Sequence, residues 1–354
     1  MKILHVAPLL SVGGVSRLMS EIIPLMNQKI DEAAFLINRC DNPTFLHKFK
    51  DGNVNVISLD NPNYFNPLYI IRIARIIRDY DLIHVHLFPS LYLVALANVL
   101  VGKPLVYTEH NTKNKRRNKS YLRYIERLIY SRYCNIISIS HLTEVNLRAW
   151  LKPKRDDKRF IIINNGVALE DFKNCRHVSI YPHTLIMIAR FAPAKDQATI
   201  IRAMRLLAKD IHLILVGDGD NKNNCQRLAE EIGVSEKIHF VGTQSDIPGW
   251  ISKADIGIQS SIWEGFGLTA VEMMAGGLPV VASDVDGLRQ VVDGAGVLFP
   301  CGDETKLAEI VTRLLSDKDY YNDIRQKCLM RCKKYDIRRM VHSYLKVYNN
   351  ILEK

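Results

Sequence analysis

Ser260-Ser-Ile-Trp-Glu-Gly-Phe-Gly-Leu-Thr-Ala-Val-Glu-Met-Met-Ala-Gly-Gly-Leu-Pro279 follows directly on Ala254-Asp-Ile-Gly-Ile-Gln259, a run short and alternating enough for a β-strand. Thr269 to Ala275 reads as a helix that begins where Gly265 and Gly267 stop. A strand that ends in a Gly-rich loop and turns straight into a helix gathers free backbone N–H groups and the positive end of a helix dipole at one point. That point suits a phosphate or diphosphate. Glu264 stands on the loop, and Glu272, with seven residues between them, falls about one turn into the helix, facing the same mouth. Carboxylates repel phosphate but accept hydroxyl protons well. The ligand that satisfies both halves is polyhydroxylic and phosphorylated at once: a nucleotide sugar.

Upstream, Thr184-Leu-Ile-Met-Ile-Ala189 reads as a strand and Arg190-Phe-Ala-Pro-Ala-Lys-Asp-Gln197 as its loop, with a helix starting near Asp196. Two cations at the carboxyl edge of a strand, beside a helix start, fit a diphosphate. Arg engages two oxygens at once, and Lys acts as a mobile point charge. His212 to Val216 with Gly217-Asp-Gly219 repeats the strand and turn, Lys237 to Gly242 is a further strand, and Asp284 to Arg289 forms a turn under the site.

The first half has the same rhythm. Lys2 to Pro8 is a strand, Gly13-Gly14 its turn and Val15 to Met26 a helix. Asp81 to His86, Leu105 to His110, Asn135 to Ser140 and Phe160 to Asn164 are further strands, and Asn165-Gly-Val marks an exit. After the loop-like stretch from Asp171 to Tyr181 the pattern restarts. Strands alternating with helices predict an α/β chain of two doubly wound parallel sheets, over residues 1–170 and 171–334, with a terminal helix over 335–354 that is apolar through Met340, Tyr344, Val347 and Ile351. A lone Gly-Gly implies close backbone approach at the sheet edge and is not the dinucleotide-binding fingerprint, which speaks against an NAD dehydrogenase. His86 and His110 stand at strand carboxyl ends, where open α/β sheets bind ligands. For His86 a structural and a functional reading stand side by side.

The 354 residues exceed one core and suit two domains. The longest mainly apolar run, Leu91 to Val101, is far short of the roughly 20 residues a spanning helix needs. Met1 to Pro8 reads as a buried strand, since it lacks the cleavage pattern of a signal peptide. Seven scattered cysteines without a CxxC pair indicate neither a disulfide framework nor a zinc site and point to a reducing cytoplasm. The net charge of +11 is uneven. Residues 1–170 hold 24 Lys and Arg against 14 Asp and Glu, a net of +10. The excess peaks at Lys113-Asn-Lys-Arg-Arg-Asn-Lys119, followed by a helical pattern over Tyr121 to Tyr133 with Leu122, Ile125, Leu128 and Ile129 on one face. Two readings stand for residues 113–133: a solvated helix packed on its own domain, or peripheral contact with an anionic membrane or a pyrophosphate-linked acceptor. No nucleic-acid motif accompanies the charge.

Glu264-x7-Glu272 with Gly265-Phe266-Gly267 inside it, supported by Arg190 and Lys195 and by Thr108-Glu-His110, resembles the signature of the family 4 retaining glycosyltransferases of the GT-B fold, two Rossmann-like domains facing a cleft. The motifs cover mainly residues 184–293, with weaker matches over 1–20, 105–113 and 163–167. The resemblance implies that Glu264 contacts hydroxyls of the donor sugar, that the backbone of Gly265, Phe266, Gly267, Leu268 and Thr269 approaches sugar and diphosphate, and that Glu272 holds the ribose. It implies that Arg190 and Lys195 stabilise the departing diphosphate, that His110 touches the transferred sugar, and that Gly13 and Gly14 face the donor phosphates. Thr243 and Gln244 come close to the base, and the last helix packs back on the first domain. Ser16 and Ala189 replace residues that are commonly acidic and Gly in the family.

A hexosyltransferase follows as an expectation, with donor held by the second domain and acceptor by the first. It needs no cofactor, and no DxD-type arrangement stands ready for a metal. The expected partners are a nucleotide sugar, with UDP-sugar the expected donor, and a glycan or lipid-linked acceptor of surface polysaccharide synthesis. The expected location is the cytoplasm, peripheral to the inner face of the membrane. A sugar-nucleotide epimerase and a catalytically idle subunit that binds sugar nucleotide are the rival readings.

Overall fold

The structure is a computed structural model and describes residues 1–10, 14–40, 45–59, 67–112, 114–173, 175, 177–178 and 180–353. The chain divides into two compact units, Met1–Gly166 with Ile337–Lys354, and Val167–Asp336. The crossing points are adjacent in the second unit, where Val167 N–H donates to the Tyr335 carbonyl at 2.8 Å and Val167 bridges Asp336 in parallel.

The strands of the first unit are β1 (Lys2–Leu10), β2 (Glu32–Cys40), β3 (Val56–Ser58), β4 (Leu82–His86), β5 (Leu105–Glu109), β6 (Asn135–Ser138) and β7 (Phe160–Ile162). They form one parallel sheet in the order β3-β2-β1-β4-β5-β6-β7. The helices among them are α1 (Gly14–Asn27), α2 (Leu46–Asp51), α3 (Pro67–Ile77), α4 (Ser90–Ala97), α5 (Leu122–Tyr130) and α6 (His141–Leu151). In β4 and β5 every residue is buried, as expected of parallel strands with helices on both faces. The order reverses between β1 and β4, and that switch point opens at the carboxyl ends of these two strands.

The second unit repeats the plan with β8 (His183–Ile188), β9 (Ile211–Val216), β10 (Ile238–Gly242), β11 (Ile256–Gln259), β12 (Val280–Ser283) and β13 (Val297–Phe299), ordered β10-β9-β8-β11-β12-β13. Its helices are α7 (Gln197–Ala203), α8 (Lys222–Glu231), α9 (Ile247–Ile251), α10 (Leu268–Ala275), α11 (Asp286–Val292), α12 (Glu304–Ser316) and α13 (Lys318–Cys332). Here the switch point lies between β8 and β11, the strands that carry the two candidate loops.

The last helix, α14 (Ile337–Leu352), belongs to the first unit and buries Ile337, Met340, Val341, Tyr344 and Tyr348. The stripe runs through Val341 and Tyr348, whereas Val347 and Ile351 are only half-buried. Burying two tyrosines obliges their hydroxyls to find partners. Tyr348 OH lies 2.5 Å from His84 Nδ1, while His84 Nε2 lies 2.7 Å from Thr108 Oγ1. His84 pairs with His5 in register across β4 and β1, and His86 follows two residues on, so His5, His84 and His86 share one buried neighbourhood.

These imidazoles are kept neutral. Burial lowers His5 and His110 to about 3, and burial with neighbouring histidines pushes His84 and His86 well below the ordinary value. The unfolded chain takes up protons on these rings near pH 6.5, where the folded chain refuses them. The associated stability is therefore complete above pH 6.5 and lost as pH falls toward 3. At pH 5 each ring held near 3 costs on the order of 2 kcal/mol. The urea midpoint is expected to drop between pH 7 and pH 5, and the drop should shrink in His5→Leu; equal drops in both proteins would refute the assignment. Tyr348→Phe, which leaves His84 Nδ1 without its partner in the core, is expected to cost about 1–3 kcal/mol at pH 7 in the same denaturation assay.

Candidate active site

At the switch point of the second unit, the loop after β8 and the loop after β11 are bound into one body. The N–H groups of Ile262 and Trp263 both donate to the Ala194 carbonyl, at 3.0 and 3.3 Å, and Ser260 Oγ donates to the Asp196 carbonyl at 2.8 Å. Lys195 Nζ forms an ion pair with Glu264 Oε2, with both side chains largely shielded from water. Gln197 Nε2 donates to the Arg190 carbonyl at 3.0 Å, fixing the backbone from which the guanidinium projects. The Arg190 guanidinium has no ion-pair partner among the described residues. The β8 loop is braced from the other side by Gly217 and Gly219, at φ 136° and 147°. Any Cβ at these positions would run into the carbonyls of Ala189 and Phe191.

Helices α6, α9, α12 and α13 are capped by Ser140, Asp246, Asp303 and Asp317, whose side-chain oxygens accept from the first turn. Like α4, α7 and α8, α10 has no side-chain cap, and it begins after Gly267, at φ 93°. Ala270 N–H turns back to the Gly267 carbonyl at 3.0 Å, which leaves the N–H groups of Leu268 and Thr269 and the positive end of the dipole to meet a ligand anion. Gly287 underlies the loop, since a Cβ there would strike the Glu264 carbonyl, and Leu288 closes on Gly267. Gly265, in contrast, has open space where a side chain would stand.

Arg190, Lys195, Glu264, Gly265, Gly267, Leu268 and Thr269 thus come together on the two loops of one switch point. Phe266 is buried, its ring edge-on to Tyr335 with centroids 5.4 Å apart, so only its backbone is left to meet a ligand. Glu272 is 4 % exposed, on a helix buried from Ala270 to Met274. Thr243 is exposed past the end of β10, two strands from β8, while Gln244 Nε2 turns back to the Val241 carbonyl at 2.6 Å.

In the first unit Gly14 opens α1 with empty space above its Cα, and Gly13 lies outside the described residues. Ser16 is buried. His86 is fully buried rather than open to a crevice, and His110 keeps 8 % of its surface. His86 joins His110 to His5: His86 Nδ1 lies 3.0 Å from His110 Nε2, and His86 Nε2 lies 3.1 Å from His5 Nδ1. His5 escaped the sequence reading because only the pairing register of β1 with β4 brings it to the other histidines.

The basic run needs correction. Arg116 pairs with buried Glu126 at 2.8 Å, and Arg117 pairs with buried Glu109 at 2.9 Å. Glu126 also accepts from Tyr92 OH at 2.9 Å and Trp150 Nε1 at 2.6 Å, and Glu109 from Tyr130 OH at 3.2 Å. A buried carboxylate needs partners in this number to offset its desolvation, so both arginines serve the interior rather than a surface. The helical stripe is also split: of its four expected residues Ile129 is buried and Leu122 packs partly buried on the core, whereas Ile125 and Leu128 do not turn inward. Helix α5 buries Glu126, Ile129 and Tyr130, whereas Tyr121, Tyr124, Ile125 and Leu128 are 60, 74, 48 and 62 % exposed. The expected inward face of Ile125 and Leu128 therefore points to solvent, and charged Glu126 points in. Lys113 lies outside the described residues.

Comparisons with known proteins agree with this geometry. Residues 12–171 match the family described as Glycosyltransferase Family 4, and residues 181–328 match Glycosyl transferases group 1. The chain is 29 % identical over 308 residues to a phosphatidyl-myo-inositol mannosyltransferase of Mycobacterium leprae, covering 81 % of this chain and 78 % of that protein. It is 21 % identical to a Campylobacter jejuni N-acetylgalactosaminyltransferase named for a diphospho-undecaprenol substrate, over 95 % of this chain and 96 % of that one. The crystal structure of Anabaena HepE in complex with UDP and glucose shares the fold, with a TM-score of 0.86 at 20 % identity over 99 % of each chain. With two parallel Rossmann-like sheets, a site at the switch point and family matches over both halves, the chain belongs to the family 4 glycosyltransferases of the GT-B fold.

Proposed function

We propose that this enzyme is a retaining hexosyltransferase that takes its sugar from a UDP-sugar and passes it to a glycan or lipid-linked acceptor in surface polysaccharide synthesis. The observation that carries the reading is the loop pair at the β8/β11 switch point, where the Lys195–Glu264 ion pair stands beside Arg190 and the uncapped start of α10. The UDP and glucose bound to HepE, and the lipid-linked substrates in the relatives' names, support the choice of donor and acceptor.

In this reading the second unit holds the donor and the first unit the acceptor. The difficult event is departure of the diphosphate while positive charge grows at the anomeric carbon. Arg190, Lys195 and the N–H groups at the start of α10 oppose the leaving charge, a fixed electrostatic complement that is stronger for the transition state than for the bound donor. Lys195 exchanges part of its contact with Glu264 for phosphate oxygens, which leaves the Glu264 carboxylate to accept from sugar hydroxyls. The backbone of Gly265 to Thr269 lies along sugar and diphosphate, Glu272 holds the ribose, Thr243 borders the base, Gly14 approaches the phosphates, and His110 contacts the transferred sugar. Retention follows the resemblance, with a leaving phosphate oxygen assisting deprotonation of the acceptor hydroxyl. No cofactor or metal has a role in these steps.

A lipid-linked acceptor calls for a membrane surface, and α5 offers one. Its outer face presents Tyr121, Tyr124, Ile125 and Leu128, flanked by exposed Lys119, Arg127 and Arg132, the mixture of aromatic, aliphatic and basic groups that settles at an anionic interface. Among the described residues no helix is long and apolar enough to cross a membrane, so attachment through this face is peripheral, at the cytoplasmic leaflet.

Purified protein given a panel of UDP-sugars and a polyprenyl diphosphate-linked acceptor is expected to release UDP and lengthen the acceptor. Arg190→Ala and Lys195→Ala should each lower kcat by about 10²–10³-fold; transfer at normal rates in the double variant would overturn the diphosphate assignment. Tyr124→Ser with Leu128→Ser is expected to cut sedimentation with phosphatidylglycerol vesicles several-fold while UDP affinity stays unchanged, and equal sedimentation would end the membrane reading.

A further inference from the structure

The buried histidines of the first unit form a chain with two different ends. At the outer end is His110, whose Nδ1 has no partner among the described residues. Its Nε2 meets His86 Nδ1 at 3.0 Å, and His86 Nε2 meets His5 Nδ1 at 3.1 Å. At the inner end His5 Nε2 is buried without a hydrogen-bond partner. The surroundings are two tyrosine hydroxyls, a threonine and a fourth ring. His84 packs on His86 with centroids 4.2 Å apart, and both of its nitrogens are engaged, by Tyr348 and by Thr108.

Counting protons fixes what this chain does. Each N···N contact needs one hydrogen, and three neutral rings carry three. If His86 bears its proton on Nδ1 it donates to His110, so His5 must donate from Nδ1 to His86 Nε2. The third proton then sits on His110 Nδ1. If His86 bears it on Nε2, all directions reverse, and the third proton becomes a buried N–H on His5 Nε2 with nothing to receive it. The two arrangements differ in which orphan they leave at the inner end, a lone pair or an N–H. Orphaned buried N–H groups are the rarer and costlier defect. Burial also keeps every ring of the chain neutral.

We propose that His86 and His5 are positioning residues that lock His110 as the Nδ1–H tautomer, a neutral hydrogen-bond donor aimed at an oxygen of the transferred sugar. This rests on the sugar contact proposed for His110. It assigns that contact a direction: His110 gives a hydrogen bond and takes no proton, in keeping with a reaction in which the leaving phosphate serves as base. A divalent ion is the competing occupant, since ring nitrogens of His5, His84 and His86 lie within 4.8 Å of one another. An ion there would have to break contacts that His84 and His86 already make.

The test uses the full-length protein labelled with ¹⁵N-histidine and long-range ¹H–¹⁵N correlation of the imidazoles, with His110 assigned by its loss in His110→Asn. The expected wild-type pattern is Nδ1–H at His110. An Nε2–H or imidazolium pattern, or stoichiometric metal whose removal by chelator changes the pattern, overturns the proposal. His86→Gln, whose amide can give to His110 and receive from His5, should keep the pattern and restore most of the transfer rate. His86→Leu should lose the single pattern and about tenfold in kcat/KM with UDP affinity unchanged; an unaltered pattern and rate in His86→Leu also overturns it. The spectrum is read without substrate, so its failure removes the tautomer assignment alone. Protein with the expected spectrum that turns over no donor refutes the glycosyltransfer reading and, with it, the sugar contact.

Discussion

Two backbone donors on one carbonyl hold the two candidate loops of this enzyme together. Ile262 and Trp263 both reach the Ala194 oxygen, and that shared bond joins the loop carrying the cations to the loop carrying the carboxylate. The Lys195–Glu264 pair closes the same gap with charge. Neither contact would be possible if β8 and β11 were not neighbours, and they are neighbours because the strand order reverses there. A site of this kind is a consequence of topology: the reversal parts the flanking helices and leaves the carboxyl ends of two strands exposed together. Rigidity then comes from glycines. Gly217, Gly219 and Gly287 sit where a methyl group would push a neighbouring carbonyl away from the loops.

Charge is handled in opposite ways in the two units. In the second, a lysine and a carboxylate are paired at a sheet edge beside a helix start with no side-chain cap. In the first, the buried carboxylates Glu109 and Glu126 capture the two arginines of the basic run, and the buried histidines stay neutral. Desolvation explains the contrast. A charge in the core must be fully matched or discharged, whereas a charge at a sheet edge can wait for its ligand.

The terminal helix contributes to the same economy of polar groups. Tyr344 and Tyr348 bring hydroxyls into the core of the first unit, and His84 and Thr108 answer them, so the end of the chain completes a network begun on β1, β4 and β5. That network sits against the chain of His5, His86 and His110, the only one of whose members with appreciable surface is His110.

The sequence by itself determined the two α/β units, the strands that carry the candidate residues and the family, because these depend on local signals: apolar runs, glycines at turns, and residue types at fixed spacing. It placed Arg190, Lys195 and Glu264 at the ends of two strands, and it left His86 open between two readings. What only the tertiary structure decided were the partners. Periodicity put Ile125 and Leu128 on the buried face of α5, but Glu126 goes inward there because Arg116, Tyr92 and Trp150 converge on it from other elements. Arg116 and Arg117 read as surface charge until their buried counter-ions, Glu126 on α5 and Glu109 on β5, are seen. His5 gains meaning only from strand register. In each case the deciding energy is the desolvation of a polar group by residues far along the chain, which local spacing cannot reveal.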